Sequence, residues 1–279
     1  MEKLFVSFHT VTIVWNQVMA IQNSELRKAG KILILVVLCN LLWAHAHVAQ
    51  ALTVEEAEAD FQRAKTALKA KPDDVELNWR LAAACFHRAE FSQHNAERAK
   101  LAEEGISAAR EAMRRNSNVV EAPYYLALNL GQLARTRTLS ALGIVSEMER
   151  HFLTAIAIDP KFRHAAPVRS LGMLYQDAPG WPASVGSRSK ARTQLQRAVD
   201  IDPDYPENWL TLMEAELKWG ERKKVQAQLG DVDRLLAKAK PEWVAAEGEP
   251  SWKALLQRVE KVRSQAINAP PPAQGNPKR

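Results

Sequence analysis

Four segments of this 279-residue chain recur at intervals of 44, 44 and 43 residues, marked by the turn residues Pro72, Asn116, Pro160 and Pro203. Each turn follows a helical run that ends in a small and an aliphatic residue: Ala67-Leu68, Ala112-Met113, Ala155-Ile156 and Ala198-Val199. Six to nine residues after the turns come Trp79, Tyr124, Val168 and Trp209. A supersecondary unit repeated at a fixed period cannot bury its apolar face alone, so copies stack, each covering its neighbour. Such a stack offers a platform that suits holding another molecule better than transforming one.

The apolar spacing predicts helix almost throughout. Ala57, Phe61, Ala64 and Leu68 recur every three or four positions, giving residues 54–70 one apolar face behind an N-cap at Thr53. Leu77, Leu81, Ala84 and Cys85 form the next stripe after a cap at Asp73 or Asp74, and Ala99, Ala102, Ile106, Ala109 and Met113 form that of 96–115. Further pairs are expected at 120–135 with 142–158, 164–176 with 189–201, and 206–218 with 221–238. A last helix at 251–267, carrying Trp252, Leu255, Leu256, Val259 and Val262, reads as a cap on the open end. No alternating strand pattern of useful length occurs, so the expected class is all-α, one continuous array over 52–267.

The two ends read differently. Arg27, Lys28 and Lys31 precede a 13-residue apolar run at 32–44, shorter than the roughly 20 residues that span a bilayer. Small residues then allow cleavage after Ala51, with Ala46 as the second choice, so residues 1–51 have the layout of a secretory signal peptide. Met19 as the start would shorten its long leading region; an uncleaved anchor is the alternative. Export, into a periplasm, is the expectation. Leu38 before Cys39 is not the small residue that lipid attachment needs. Residues 268–279 (NAPPPAQGNPKR) lack core formers and are expected to be disordered.

From Leu52 onward 34 basic and 30 acidic residues leave a net charge of +4, and the two signs are interleaved as on solvated helix faces. No basic stripe with interleaved aromatics suggests nucleic acid. Cys85, His87 and His94 are the one Cys/His cluster, short of the four ligands of a structural zinc site. Neither they nor His151 and His164 fit a catalytic pattern, and no phosphate loop, H-E-x-x-H or G-x-S-x-G occurs. No cofactor, no metal and no enzymatic activity are expected.

The repeats resemble tetratricopeptide repeats in their small residues, in the aromatic or Leu of the first helix and in the alanine-to-proline ends Ala155–Pro160 and Ala198–Pro203. The usual period is about 34, so these units are about ten residues longer. That resemblance implies a right-handed superhelix of helix-turn-helix units. The segment from His164-Ala165-Ala166-Pro167 through Leu171-Gly172-Met173-Leu174-Tyr175, the loop Ala178-Pro179-Gly180-Trp181-Pro182-Ala183-Ser184-Val185-Gly186 and the restart at Lys190-Ala191 is similar to the T-component family of tripartite ATP-independent periplasmic transporters, as is Tyr124-Tyr125-Leu126-Ala127. This second resemblance, over about 76–217, implies a periplasmic accessory protein that docks on a solute receptor and holds an apolar ligand.

Two candidate binding features follow. The loop 177–188 holds Trp181 among two prolines and two glycines, and a loop of that length in a compact repeat protein is often functional. The alternative is that Trp181 folds back on the helix of Leu174 and Tyr175. Tyr125, Asn129 and Arg135 could form a polar stripe on the concave face, suited to a peptide backbone or a carboxylate; the alternative places Tyr124 in the core and Tyr125 on the surface. The expected function is an exported scaffold that binds a protein or peptide, the alternative the transport accessory.

Overall fold

The computed structural model describes residues 53–137 and 141–268, so the expected signal segment and all but the first residue of the expected tail lie outside the described residues. Among the described residues there are nine helices and no strand: α1 (Val54–Ala70), α2 (Val75–Glu90), α3 (Asn95–Arg115), α4 (Glu121–Ala134), α5 (Ala141–Ile158), α6 (Phe162–Asp177), α7 (Arg188–Ile201), α8 (Pro206–Lys218) and α9 (Arg222–Asn268). No helix among them is long and apolar enough to cross a membrane.

Local chemistry sets the boundaries. The Thr53 hydroxyl accepts from the Glu56 N–H (3.1 Å), and the Glu56 carboxylate accepts from the Thr53 N–H (2.8 Å), a reciprocal capping box that starts α1. Asp74 starts α2 by accepting from the Leu77 N–H at 3.0 Å. The period seen in the sequence reappears at the helix ends. Lys71, Asn116, Asp159 and Asp202 donate their N–H groups to the carbonyls of Ala67, Ala112, Ala155 and Ala198, the same four alanines that mark the repeat. Asn78 and Asn208 then latch two of these turns from within the following helix, donating to Pro72 and Asp74 and to Ala198 and Asp202.

The helices pair and stack as expected. One core runs from Phe61 of α1 to Ala198 of α7, with Leu126, Phe152 and Leu171 fully enclosed. A smaller cluster of Met173, Leu195, Val199, Leu212 and Ala215 joins it to a third built from α8 and α9. Each enclosed Leu or Phe contributes about 1.5–3 kcal/mol by leaving water. Gly172 permits the α6–α7 approach, because a Cβ there would stand 2.7 Å from Leu195 Cδ2.

The last two expected helices need correction. The break falls at Gly248 (φ 82, ψ 161), and the helix that precedes it runs past the expected end at 238 and through Pro241. Proline inside a helix removes one hydrogen bond and disfavours continuation. Here tertiary burial outweighs that cost: Trp243 is buried and stacks on Tyr205 at 5.1 Å and 19°. The arm after Gly248 lies back along the first, with Trp243 against Trp252 and Gln226 donating to the Ala266 carbonyl.

Candidate functional site

The loop between α6 and α7 is closed by its own backbone. Ser187 donates to the Tyr175 carbonyl (2.9 Å), Gly186 to that of Pro179 (2.8 Å), and Ala183 and Ser184 to that of Gly180. Gly180 and Gly186 form a single parallel bridge. Gly186 has no alternative, since a Cβ would run into the Ala178 carbonyl oxygen. Val185 plugs the loop against the main core, and the Ser187 hydroxyl caps α7 by accepting from the Lys190 N–H. Below, the Tyr175 hydroxyl donates to Glu149 at 2.7 Å, and the Lys190 ammonium sits 4.9 Å from the Tyr175 ring centre.

Trp181 stands on this clamped platform with 89% of its surface exposed. The alternative in which it folds back on the helix of Leu174 and Tyr175 is corrected. Backbone hydrogen bonds and Val185 already close the loop, so the indole is not needed for packing. Basic residues that follow it in α7 have acidic partners, Lys190 with Glu149 among them. Residues 178–199 include Arg188, Lys190, Arg192 and Arg197 and no carboxylate. Arg188 and Arg192 pair with Glu221 of the α8–α9 turn and lie over the Trp219 ring. Lys218 pairs with the buried Asp177 at 3.0 Å.

The expected Tyr-Asn-Arg stripe is not an open surface. Tyr124 and Tyr125 are both buried, which also corrects the alternative that left Tyr125 outside. The reason is that α4 packs against α2, α3 and α5, while Phe162 and Arg163 at the start of α6 reach Tyr124 and Tyr125, so little of this helix meets solvent. Tyr125 stacks parallel to Trp79 at 6.4 Å, and burial pushes its phenol up to about 12. Asn129, with no exposed surface, donates to the Ala82 and Tyr125 carbonyls at 2.8 Å and fills the space that a side chain at Gly105 would need. Arg135 lies nearby at the end of α4, but it turns to Glu90 and Gln132 at 3.1 Å. Of the four residues singled out in the sequence, Trp181 alone presents an open surface.

The sequence held no sign of what does reach Tyr125. Arg163, His164 and Ala165 are left-handed (φ 45, 58 and 61), and this turn sends the Arg163 guanidinium to the Tyr125 hydroxyl at 3.1 Å. It sends His164 the other way, to Asp202 at 2.7 Å and onto the Tyr205 ring at 4.1 Å. Arg and Ala do not favour left-handed backbone, and His alone is too weak a signal to have flagged a three-residue turn. A signal did exist for the turn latches, in the Asn-Trp pair shared by positions 78–79 and 208–209.

The Cys/His cluster is split by the fold. The Cys85 thiol is enclosed and burial pushes it up to about 12, which makes it a packing group. His87 packs against Phe86 and Tyr125, and burial followed by the Arg163 charge pushes it down to about 4, so it is neutral. His94 is exposed at the N-cap of α3.

Comparison with known proteins agrees with this architecture. The chain is similar to the crystal structure of a thermophilic TPR protein from Thermus thermophilus, with 18% identity and a TM-score of 0.54, over 84% of this chain and 98% of that one. It is also similar to the structure of MamA, at 16% identity and a TM-score of 0.42, over 75% of this chain and 92% of the other. The likeness to the thermophilic TPR protein, with the all-helical array, makes the fold that of a TPR-like α-solenoid. Residues 44–169 match the family model described as RMD1-3, regulator of microtubule dynamics protein 1-3. Comparison with curated proteins finds no match.

Proposed function

We propose that this chain is an exported, non-enzymatic helical-repeat scaffold that holds a protein partner, and that Trp181 is an anchor of the contact. The observation that carries this is an indole 89% exposed on a loop clamped by backbone hydrogen bonds. Tryptophan dominates protein interfaces when it seats in a partner's pocket, and a loop already held in shape loses little entropy on binding. The solenoid supplies the rigid support. The family description matched by residues 44–169 speaks of a regulator and names no reaction, which is in keeping with a holding role. Export rests on the basic, apolar and small-residue sequence of the first 51 positions.

The test compares recovery of partners from a periplasmic extract by the wild type and by Trp181→Ala. Loss of a specific, identified partner with the variant is the expected result; equal recovery by both forms overturns the assignment of Trp181. N-terminal sequencing of the exported protein is expected to begin at Leu52. The transport accessory remains a second reading, supported by the glycine of Gly172, the Tyr175 position and the Trp181 loop. It calls for an apolar ligand and a solute receptor as partners, and such a receptor is the protein to look for first in the recovered fraction.

A further inference from the structure

Within residues 222–268 one residue, Gly248 (φ 82, ψ 161), departs from helical backbone, so a change at a single position separates the folded-back arm from one continuous helix. A helix of that length reaches about 70 Å at 1.5 Å per residue. The hinge stands clear of the core. Ala245, Ala246, Glu249 and Pro250 are exposed, and among the described residues a Cβ on Gly248 would approach Pro250 Cδ alone, at 3.6 Å. The arm itself is held by residues ahead of the hinge. Arg258 reaches Glu207 and Glu214, Arg263 reaches Asp233 at 2.6 Å, and Trp252 packs on Trp243. We infer that this arm, residues 249–268, exchanges between two copies of the chain and so forms an arm-swapped dimer.

The surface identifies its occupant, because the arm already covers it. α8 and the first arm of α9 present an apolar face that encloses Trp252, Leu255, Val259 and Val262, and the carboxylates of Glu207 and Glu214 receive the one guanidinium of Arg258 at 2.6 and 2.9 Å. A second copy supplies the same side chains on the same helix in the same register. Each apolar contact and each ion pair of the closed monomer is therefore remade across the dimer, and the enclosed Glu207 is not left without its cation. The two exchanges are related by a two-fold axis, so the assembly closes at a dimer and does not extend. The hinge and the concentration then set the balance between the two forms. Backbone at φ 82, ψ 161 is essentially restricted to glycine, so Gly248 is what keeps the closed form accessible. Pro250 opposes continuous helix through its ring and missing N–H, and it too favours the closed form at low concentration. The dimer presents two Trp181 loops, so a partner with two sites is held with added avidity.

Sedimentation equilibrium of the full-length chain, refolded from urea over a range of concentrations so that arms can exchange, is expected to show monomer and dimer and no larger species. Gly248→Ala strains the closed hairpin and suits continuous helix, and is expected to strengthen dimerisation about tenfold or more. A flexible Gly-Ser insertion after Gly248 relaxes the turn of the hairpin and is expected to weaken dimerisation. Circular dichroism is expected to give both variants the helix content of the wild type. The exchange itself is read with two chains, one Asp233→Cys and the other Arg263→Cys, co-refolded in equal amounts and treated with a short bismaleimide. The two new thiols then lie on different chains, so a cross-linked peptide joining positions 233 and 263, expected in the mass spectrum, reports the swap. A wild type that stays monomeric at every concentration overturns the inference. So does a dimer without the 233–263 link, or a Gly248→Ala chain that dimerises no better than the wild type. Trp181 takes no part in this contact, so either result leaves the scaffold assignment to its own test.

Discussion

The Arg163 guanidinium donates to the Tyr125 hydroxyl at 3.1 Å, joining the third repeat to the second through a side chain launched from left-handed backbone. The next residue, His164, stacks on Tyr205 and so joins the third repeat to the fourth. Arg169 holds the turn from below, donating to the His164 carbonyl at 3.1 Å and to Asn208 at 2.6 Å. A three-residue distortion thereby latches three consecutive repeats together.

Left-handed backbone costs an L-residue about 1–2 kcal/mol, so the turn stores strain that glycine would relieve. Ala165→Gly exchanges that strain against a lost methyl of about 0.8 kcal/mol and a floppier unfolded chain, and is expected to leave stability nearly unchanged. Ala166→Gly, one residue on in ordinary helix and also buried, is expected to cost about 1 kcal/mol or more. Urea midpoints of the two variants check the contrast; equal losses would show that the turn is unstrained.

His87 predicts an acid limb in the stability profile. Its folded pKa of about 4 lies below the ordinary 6.5, because burial and then Arg163 oppose its charge. The unfolded chain therefore binds more protons between those values, and stability falls as pH drops from 6.5 towards 4, while it is fully present above 6.5. The contribution at neutral pH is about 1–3 kcal/mol, allowing for partial exposure. His87→Gln is expected to flatten this limb in denaturant titrations at several pH values. An unchanged slope would contradict a neutral, buried imidazole.

Gly186→Ala is expected to open the Trp181 loop without unfolding the array, because its Cβ collides with the Ala178 carbonyl oxygen and not with the helical core. A cost of about 1–3 kcal/mol fits such overpacking. Limited proteolysis should then cut within 178–187, where the wild type resists. Resistance equal to the wild type would mean that the loop's backbone closure is dispensable.

At the C-terminal end Arg258 donates to Glu207 at 2.6 Å and to Glu214 at 2.9 Å, clamping the last arm of α9 to α8. Burial disfavours the guanidinium's charge, but the two carboxylates outweigh it and raise the pKa. Arg258→Met strands the enclosed Glu207 carboxylate and is expected to cost about 3–5 kcal/mol by thermal or urea unfolding. Adding Glu207→Gln should recover part of the loss. Full additivity of the two substitutions would show that they are not paired.

The period of the alanines and the 3.6-residue apolar stripes determined the all-α class, the order of helix pairs and most boundaries, because these depend on neighbours in sequence: Ala67, Ala112, Ala155 and Ala198 accept the cap hydrogen bonds wherever the chain goes afterwards. The exposure of each candidate residue was decided by tertiary structure. Helical spacing puts Tyr125 and Asn129 on one stripe, but whether that stripe meets water or α2 and α3 depends on how many helices close around α4. The helix through Pro241 and the left-handed turn at Arg163 run against local preference. Only contacts between residues distant in sequence, Trp243 with Tyr205 and Arg163 with Tyr125, supply the free energy that holds them.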